Sequence, residues 1–363
     1  MFKNYFILNR LVIEFNKTLE NYSINQIFSQ EKDRLILSFV NGNSEKYLEI
    51  SANPGFPYIN LRRNFTRAKR NTKDFFQNYL PSKLISFEIA KADRIIRINF
   101  LNFKLYFIIR GKYTDVISVD DKENLEFFKK PREDFSESFP NEIHQIEFIN
   151  TYYKPLLNLI PDANLFDTIK RTYPFISKEL LFEAKRRTDE RNQKEIINNI
   201  LTVIDEICNA KPVVFYNSGS KQLFLTVETF NIFAFTDKFE FGNFIDAFNF
   251  YLSKHYYLLQ VIRKNATINK YLNRELSKLT SRLNNLKIII DQGSKEEYYS
   301  TLGNLLLINI NLIKKGMKQI KIKDIYAGNE DKVIKIDVAL SPQKNVEYYF
   351  NKAKGDKTRL QKS

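Results

Sequence analysis

Residues 94–110 read RIIRINFLNFKLYFIIR. Apolar Ile95, Ile96, Ile98 and Phe100 are mixed with Arg97 and Asn99, as expected of a strand with one partly wet face. Residues 103–110 repeat the β-branched and aromatic content, and Asn102 marks a tight turn between the two runs. Two adjacent strands are therefore predicted here. Working outward, residues 83–89 and 115–119 extend the series on either side. Upstream, residues 34–40 (RLILSFV), 46–51 (KYLEIS) and 56–61 (FPYINL) are strand-length apolar runs, separated by the turn chemistry of Asn41-Gly42-Asn43 and Asn53-Pro54-Gly55. Residues 4–20 place Phe6, Ile7, Val12, Ile13, Phe15 and Leu19 at helical spacing. The expectation is an α+β domain over residues 1–150, with a helix against a sheet of hairpins. After residue 120 the chain turns acidic and proline-punctuated, which predicts a surface connection.

Residues 151–210 turn helical, with breaks at Pro155, Pro161 and Pro174 and a longer helix over 194–208. Residues 213–215, 223–227 and 232–235 read as a small β excursion before helical periodicity resumes near Phe241. The second expected segment is 151–250 and the third 251–363. In the third, Leu272, Leu276, Leu279, Leu283, Leu286 and Ile290 alternate spacings of four and three, the seam of a coiled coil. Gly293-Ser294 breaks that helix, and a second one rich in leucine (Leu302, Leu305, Leu306, Leu312) follows, closed by Lys315-Gly316. An antiparallel pair of arms is expected. Two strands, 320–325 and 333–336, precede a helix opened by Ser341-Pro342, which reaches the end of the sequence without a capping signal, as at a cut edge.

Of the 363 residues, 57 are Lys or Arg and 42 are Asp or Glu, a formal net charge of +15. Such a field favours polyanionic partners. No apolar run approaches the roughly 18 residues that span a bilayer. Lys3 and Arg10 bracket the start and no small-residue cleavage site follows, so it does not read as a signal peptide. The expected location is the cytoplasm, with no membrane partner. One cysteine, Cys208, and two histidines, His144 and His255, make neither a Cys/His zinc site nor an internal disulfide. Phosphate-cradling glycine loops, nucleophile elbows and zinc-binding helices are all missing from the sequence. Glu296-Glu297 sits at a helix start, where it complements the dipole. No catalytic residue, metal or cofactor is expected.

Two clusters point to nucleic acid. The stretch LRRNFTRAKRNTK, residues 61–73, carries Arg62, Arg63, Arg67, Lys69, Arg70 and Lys73 with no acidic residue. Phosphates are its natural counter-surface, because neutralising them releases condensed counterions. The second cluster is Asp93-Arg94, just ahead of the first strand quoted. Adjacent Asp and Arg most often make a surface turn with modest ion pairing. Together, though, a guanidinium fork for a phosphate or base edge and a carboxylate that orients it can read RNA.

Four passages in series resemble the NFACT family: ISANPGFPYINL at 50–61, ADRIIRINF at 92–100, IIRGKYTDVISVD at 108–120, and LGNLLLININLIKKGMKQIKIKDIY through LSPQKNVEYYF within 302–350. The resemblance implies an NFACT-N domain with a core like that of formamidopyrimidine-DNA glycosylases, then a helix-hairpin-helix region, then antiparallel coiled-coil arms. It also implies that Asp93-Arg94 helps hold tRNA, alanine tRNA in bacteria, on a large ribosomal subunit obstructed by peptidyl-tRNA. Arg97, Gly111 and Lys112 from the same passages join them as tRNA-binding candidates, and the basic run as the phosphate or rRNA contact. The factor then supports template-free C-terminal tailing of the stalled chain as a monomer, without being an enzyme, since the ribosome performs the peptidyl transfer.

Three departures from the family pattern stand out. Residues 74–80 (DFFQNYL) replace a basic, leucine-rich segment, Pro174-Phe175 stands where a hairpin glycine is expected, and the C-terminal NFACT-R domain that the resemblance leads one to expect has no counterpart in these 363 residues, as in a truncated piece or a form that lost it. Two alternatives remain open. A repair glycosylase would need an N-terminal proline nucleophile, where this sequence has Phe2 and Lys3, and usually a cysteine zinc finger. A fibronectin-binding adhesin would need export.

Overall fold

The computed structural model describes residues 3–130, 133–157, 165–188 and 193–362; Phe2 and Pro161, named above, lie outside them. Its contacts divide the chain into two compact units, one running to Gln260 and the other from Val261.

The first unit opens with helix α1 (Tyr5–Thr18), whose start is fixed by the Asn4 side chain accepting from the amides of Phe6 and Ile7. Eleven strands follow: β1 (Ser23–Glu31), β2 (Arg34–Asn41), β3 (Ser44–Ser51), β4 (Tyr58–Arg62), β5 (Lys73–Asp74), β6 (Ser82–Ala90), β7 (Ile95–Phe100), β8 (Phe103–Ile108), β9 (Asp115–Asp120), β10 (Leu125–Phe127) and β11 (Phe148–Ile149). They form one sheet in the order β10-β9-β8-β7-β6-β1-β2-β3-β4, with β5 on β1 and β11 on β6. A mixed helix and sheet architecture with a large antiparallel sheet is what the hairpin spacing predicted.

Alternation along β7 explains how both faces are used. Ile96, Ile98 and Phe100 belong to the main core with α1, where Phe15 and Phe87 bring ring centroids to 5.4 Å. Ile95 points the other way, into a second cluster with Tyr106, Ile108 and Ile117. That cluster is closed by Phe135, Phe139 and Ile143 of α2 (Glu133–Ile143). The expected surface connection is thus corrected: its aromatic residues cover the outer face of β7 to β9.

Helices α3 (Leu165–Thr172), α4 (Lys178–Arg186) and α5 (Gln193–Asn209) come next, then a small sheet of β12 (Pro212–Asn217), β13 (Gln222–Val227) and β14 (Asp237–Glu240) in the order β13-β12-β14. The third strand is not the apolar run at 232–235. Those residues form a loop in which Phe233 stacks on Phe224 at 4.3 Å and Phe235 on Phe215 at 4.4 Å. The main core runs without a break from α1 to the first turns of α6 (Phe244–Gln292).

Two charges on α1 hold the neighbouring helix ends. Glu14 accepts from the Phe244 and Ile245 amides at 2.9 and 3.0 Å, complementing the positive start of α6. Arg10 donates to the carbonyls of Ile207 and Ala210, at 2.9 and 2.6 Å, where α5 ends. Another buried network lies under β2 to β4. Glu49, only 4% exposed, accepts from Tyr58 Oη at 2.5 Å and pairs with Arg62 at 2.8 Å and Arg34 at 3.6 Å.

In the second unit α7 (Glu296–Ile308) and α8 (Pro342–Gln361) pack on the hairpin of β15 (Gln319–Asp324) and β16 (Glu330–Lys335). Ser341 caps α8 by accepting from the Lys344 amide. Gly303 permits the helices to close, since a Cβ there would lie 3.1 Å from the Phe350 ring. Leu302, Leu305 and Leu306 enter this core with Ile320, Ile334 and Val346. They are therefore not spent on the leucine seam of α6: Leu272, Leu276, Leu279, Leu283 and Ile290 are all more than half exposed. The pairing of these two helices expected from the sequence is not formed.

Candidate nucleic-acid interface

The turn from β6 into β7 places Ala92 in the left-handed region, φ 61°, and presents the next two side chains at the sheet's end. Asp93 is organised on both oxygens. Oδ1 accepts from the Arg94 amide at 2.7 Å, and Oδ2 receives the guanidinium fork of Arg110, with Nε at 3.0 Å. The remaining arm of Arg110 reaches Glu142 at 2.7 Å. Burial opposes the charge on Arg110, but its bonds to Asp93 and Glu142 outweigh that and push its pKa further up. Arg94 is different. Its guanidinium makes one long hydrogen bond, 3.5 Å to the Lys3 carbonyl, and among the described residues no carboxylate pairs with it. It is a half-buried, pre-positioned cation.

Two lysines draw further loops to this end of the sheet. Lys3 Nζ donates to the Pro54 carbonyl at 3.1 Å. Lys129 Nζ donates to the carbonyls of Ala52 and Thr114, at 2.9 Å each. Between them the 54–55 turn, the Gly111–Tyr113 turn and Lys129-Lys130 line a cavity of about 620 Å³. Gly111 has φ 55°, a conformation that favours glycine. Lys112 lies over the Tyr113 ring at 4.7 Å. At the cavity's edge Asp115, 6% exposed, accepts from the amides of Val116 and Lys129; burial raises its carboxyl to about 6. Asp93, Arg94, Gly111 and Lys112, separate in the sequence, thus gather around one end of the sheet, and residues of three of the resembling passages meet there.

Arg97 does not join them as a free group. It faces the sheet, pairing with Glu88 through its Nε at 2.8 Å and lying 4.0 Å over the Phe148 ring. The basic run is also partly spent. Arg62 is committed to Glu49, and Arg67 bonds to Thr72 and Asp74 at 2.7 Å each while covering the Phe28 ring. Arg63 is 88% exposed, 3.9 Å from Asp246. Lys69, Arg70 and Lys73 are exposed and have no carboxylate partner among the described residues. Four of the six cations, Arg63, Lys69, Arg70 and Lys73, are therefore open to solvent.

Arg110, Lys3, Lys129 and Glu142 carry no sign in the sequence of a place at this site. Arg110 stands before Gly111, but nothing in the sequence says that its side chain, and not that of Arg94, takes the Asp93 carboxylate.

The family model of the NFACT N-terminal and middle domains matches residues 4–362. The chain belongs to the NFACT family. Among curated relatives it is similar to proteins named Rqc2 homolog RqcH: 26% identical over 375 residues to that of Streptococcus pneumoniae, and 24% over 374 to that of Streptococcus suis. In each case the match takes in 96% of this NFACT chain and 65% of the relative, so the chain spans less than two thirds of their length. Among solved structures, the fibrinogen binding protein from Staphylococcus aureus aligns over 68% of this chain and 98% of its own, with a TM-score of 0.49 and 15% identity. The N-terminal part of the fibronectin/fibrinogen-binding protein from Streptococcus suis aligns over the same shares, with a TM-score of 0.47 and 18% identity. Among the described residues no helix of the NFACT chain is long and apolar enough to cross a membrane, and no group of His, Cys, Asp and Glu could hold a metal ion.

Proposed function

We propose that this NFACT chain acts in ribosome-associated quality control, gripping tRNA at the Asp93–Arg94 end of its sheet while basic surfaces contact the large ribosomal subunit. The observation that carries this reading is the division of labour at the turn. Arg110 holds Asp93 in place, and Arg94 is left with a guanidinium whose one bond is a long one to the Lys3 carbonyl, at the end of the sheet where the Gly111 turn lies. Such a fork can take a phosphate or a base edge, with the fixed carboxylate accepting from an amine or a ribose hydroxyl. Arg97 serves as framework, and Arg63, Lys69, Arg70 and Lys73 are the phosphate contacts of the basic run.

The net charge of +15 and the names of the curated relatives support the same reading. The chemistry asked of the chain is positioning: seating tRNA beside an obstructed peptidyl-tRNA makes transfer effectively intramolecular, and the ribosome performs the bond exchange in C-terminal tailing. The test is ultraviolet crosslinking and sequencing of RNA co-purified with the protein at moderate salt. Enrichment of tRNA together with large-subunit rRNA is expected. Recovery of bulk DNA, or of no RNA, contradicts the proposal.

A further inference from the structure

The helices α3 and α4 form a cleft of about 370 Å³ that the RNA reading leaves unused. Its floor comes from Phe166 on α3 and from Leu181 and Phe182 on α4; its rim is Lys170, Lys178 and Lys185. On α4 the four contributors fall at i, i+3, i+4 and i+7, so they share one helix face. That face carries no compensating acid. Glu183 is turned inward and fully buried, accepting from Arg187 and from the Asn231 and Ile232 amides. Phe182 is 62% exposed, an aromatic ring presented in a concave apolar setting. The rim cations are lightly held: Lys170 makes one exposed pair with Asp167 at 3.2 Å, Lys185 lies 5.4 Å over the Phe166 ring, and Lys178 has no carboxylate partner among the described residues.

We propose that this cleft docks an acidic peptide segment of a partner protein, which inserts an apolar side chain between Phe166 and Phe182 and sets flanking carboxylates against the three lysines. The walls decide between peptide and RNA. They are almost wholly apolar, so they offer nothing to read the polar edge of a base, and seating a phosphate on them would strip its water without replacement. An aliphatic or aromatic side chain loses nothing of that kind. The lysine stems extend the apolar wall while their ammonium groups stay in water, a geometry suited to carboxylates just outside an apolar anchor. This inference goes beyond the RNA reading and does not depend on it.

The test uses the full chain and a fluorescein-labelled acidic peptide carrying a central leucine-phenylalanine pair, with an otherwise identical peptide bearing alanines at the pair. Fluorescence anisotropy at moderate salt is expected to show roughly tenfold tighter binding of the first peptide. Phe182→Ala should erase that preference and Lys178→Glu with Lys185→Glu should weaken both peptides, whereas Phe182→Leu should largely keep it. Asp93→Ala with Arg94→Ala should leave peptide binding unchanged. Equal binding of the two peptides reduces the contact to bulk charge attraction and overturns the proposal. So does a Phe182→Ala variant that loses affinity for single-stranded oligouridylate more than for the peptide, which assigns the cleft to nucleic acid.

Discussion

The carboxylate of Asp93 takes its guanidinium from Arg110, seventeen residues further on, while its neighbour Arg94 gives it only a backbone amide. This divides an apparently simple dipeptide into an anchored acceptor and an uncommitted donor. A two-pronged Arg–carboxylate bond fixes orientation as well as distance, which a lysine at position 110 would not do.

Arg110→Ala is therefore expected to weaken tRNA binding by roughly tenfold although Arg110 need not touch the RNA. Because it acts through Asp93, the same change in an Asp93→Ala background should cost little more. Filter-binding isotherms of the two single variants and the double variant measure this; additive losses would give Arg110 an RNA contact of its own.

The basic run divides by partner. Lys69→Ala and Arg70→Ala should each lower the slope of log K against log salt by about one, as for loss of one phosphate contact. Arg67→Ala should leave that slope nearly unchanged, because its guanidinium is spent on Thr72, Asp74 and the Phe28 ring. Titrations over a salt series separate the two behaviours.

Asp115 predicts a pH signature. Its carboxyl is raised by burial from an ordinary 3.8 to about 6, so between those values the folded state binds the proton that the unfolded chain has released. Stability therefore gains from this group as pH falls through about 6 and loses as pH rises. The full difference amounts to roughly 3 kcal/mol. Asp115→Asn keeps an acceptor for the Val116 and Lys129 amides but not the titration. Urea melts from pH 4 to 7 should show the variant gaining on the parent chain as pH rises, and flat difference curves would contradict the assignment.

Glu49 is the buried centre of three partners. Glu49→Ala removes the acceptor of Tyr58 and the buried carboxylate that Arg62 and Arg34 share, while Arg34 keeps Glu31 at 2.8 Å and Arg62 is partly open to water. A loss of about 1–3 kcal/mol is expected in equilibrium unfolding. A change under about 1 kcal/mol would mean that water reaches the pair.

Most of the sheet was legible because its strands alternate or run apolar between strong turns: β2, β3, β7, β8 and β9 fall within two residues of where the sequence puts them. β1 was missed. SINQIFSQE carries only three apolar residues, Ile24, Ile27 and Phe28, and owes its strand to pairing with β2 and β6 on either side. The misplaced β14 is the converse case, since DKFE is charged yet pairs along β12, while the apolar run before it goes to ring stacking. The acidic connection hid α2 because Phe135 and Phe139 sit among acids and a proline. At the candidate site Asp93, Arg94 and Gly111 are legible in the sequence, but the company of Lys3, Arg110 and Lys129 is not, because that depends on which loops share an end of the sheet.

The most direct test is the affinity of purified protein for tRNA, compared with that of Asp93→Ala combined with Arg94→Ala. Both side chains are partly buried but outside the apolar core, and Arg110 keeps Glu142 as a partner, so thermal unfolding should change little. The account predicts a loss of at least roughly tenfold with an intact melting transition. Equal affinity in the double variant would contradict it.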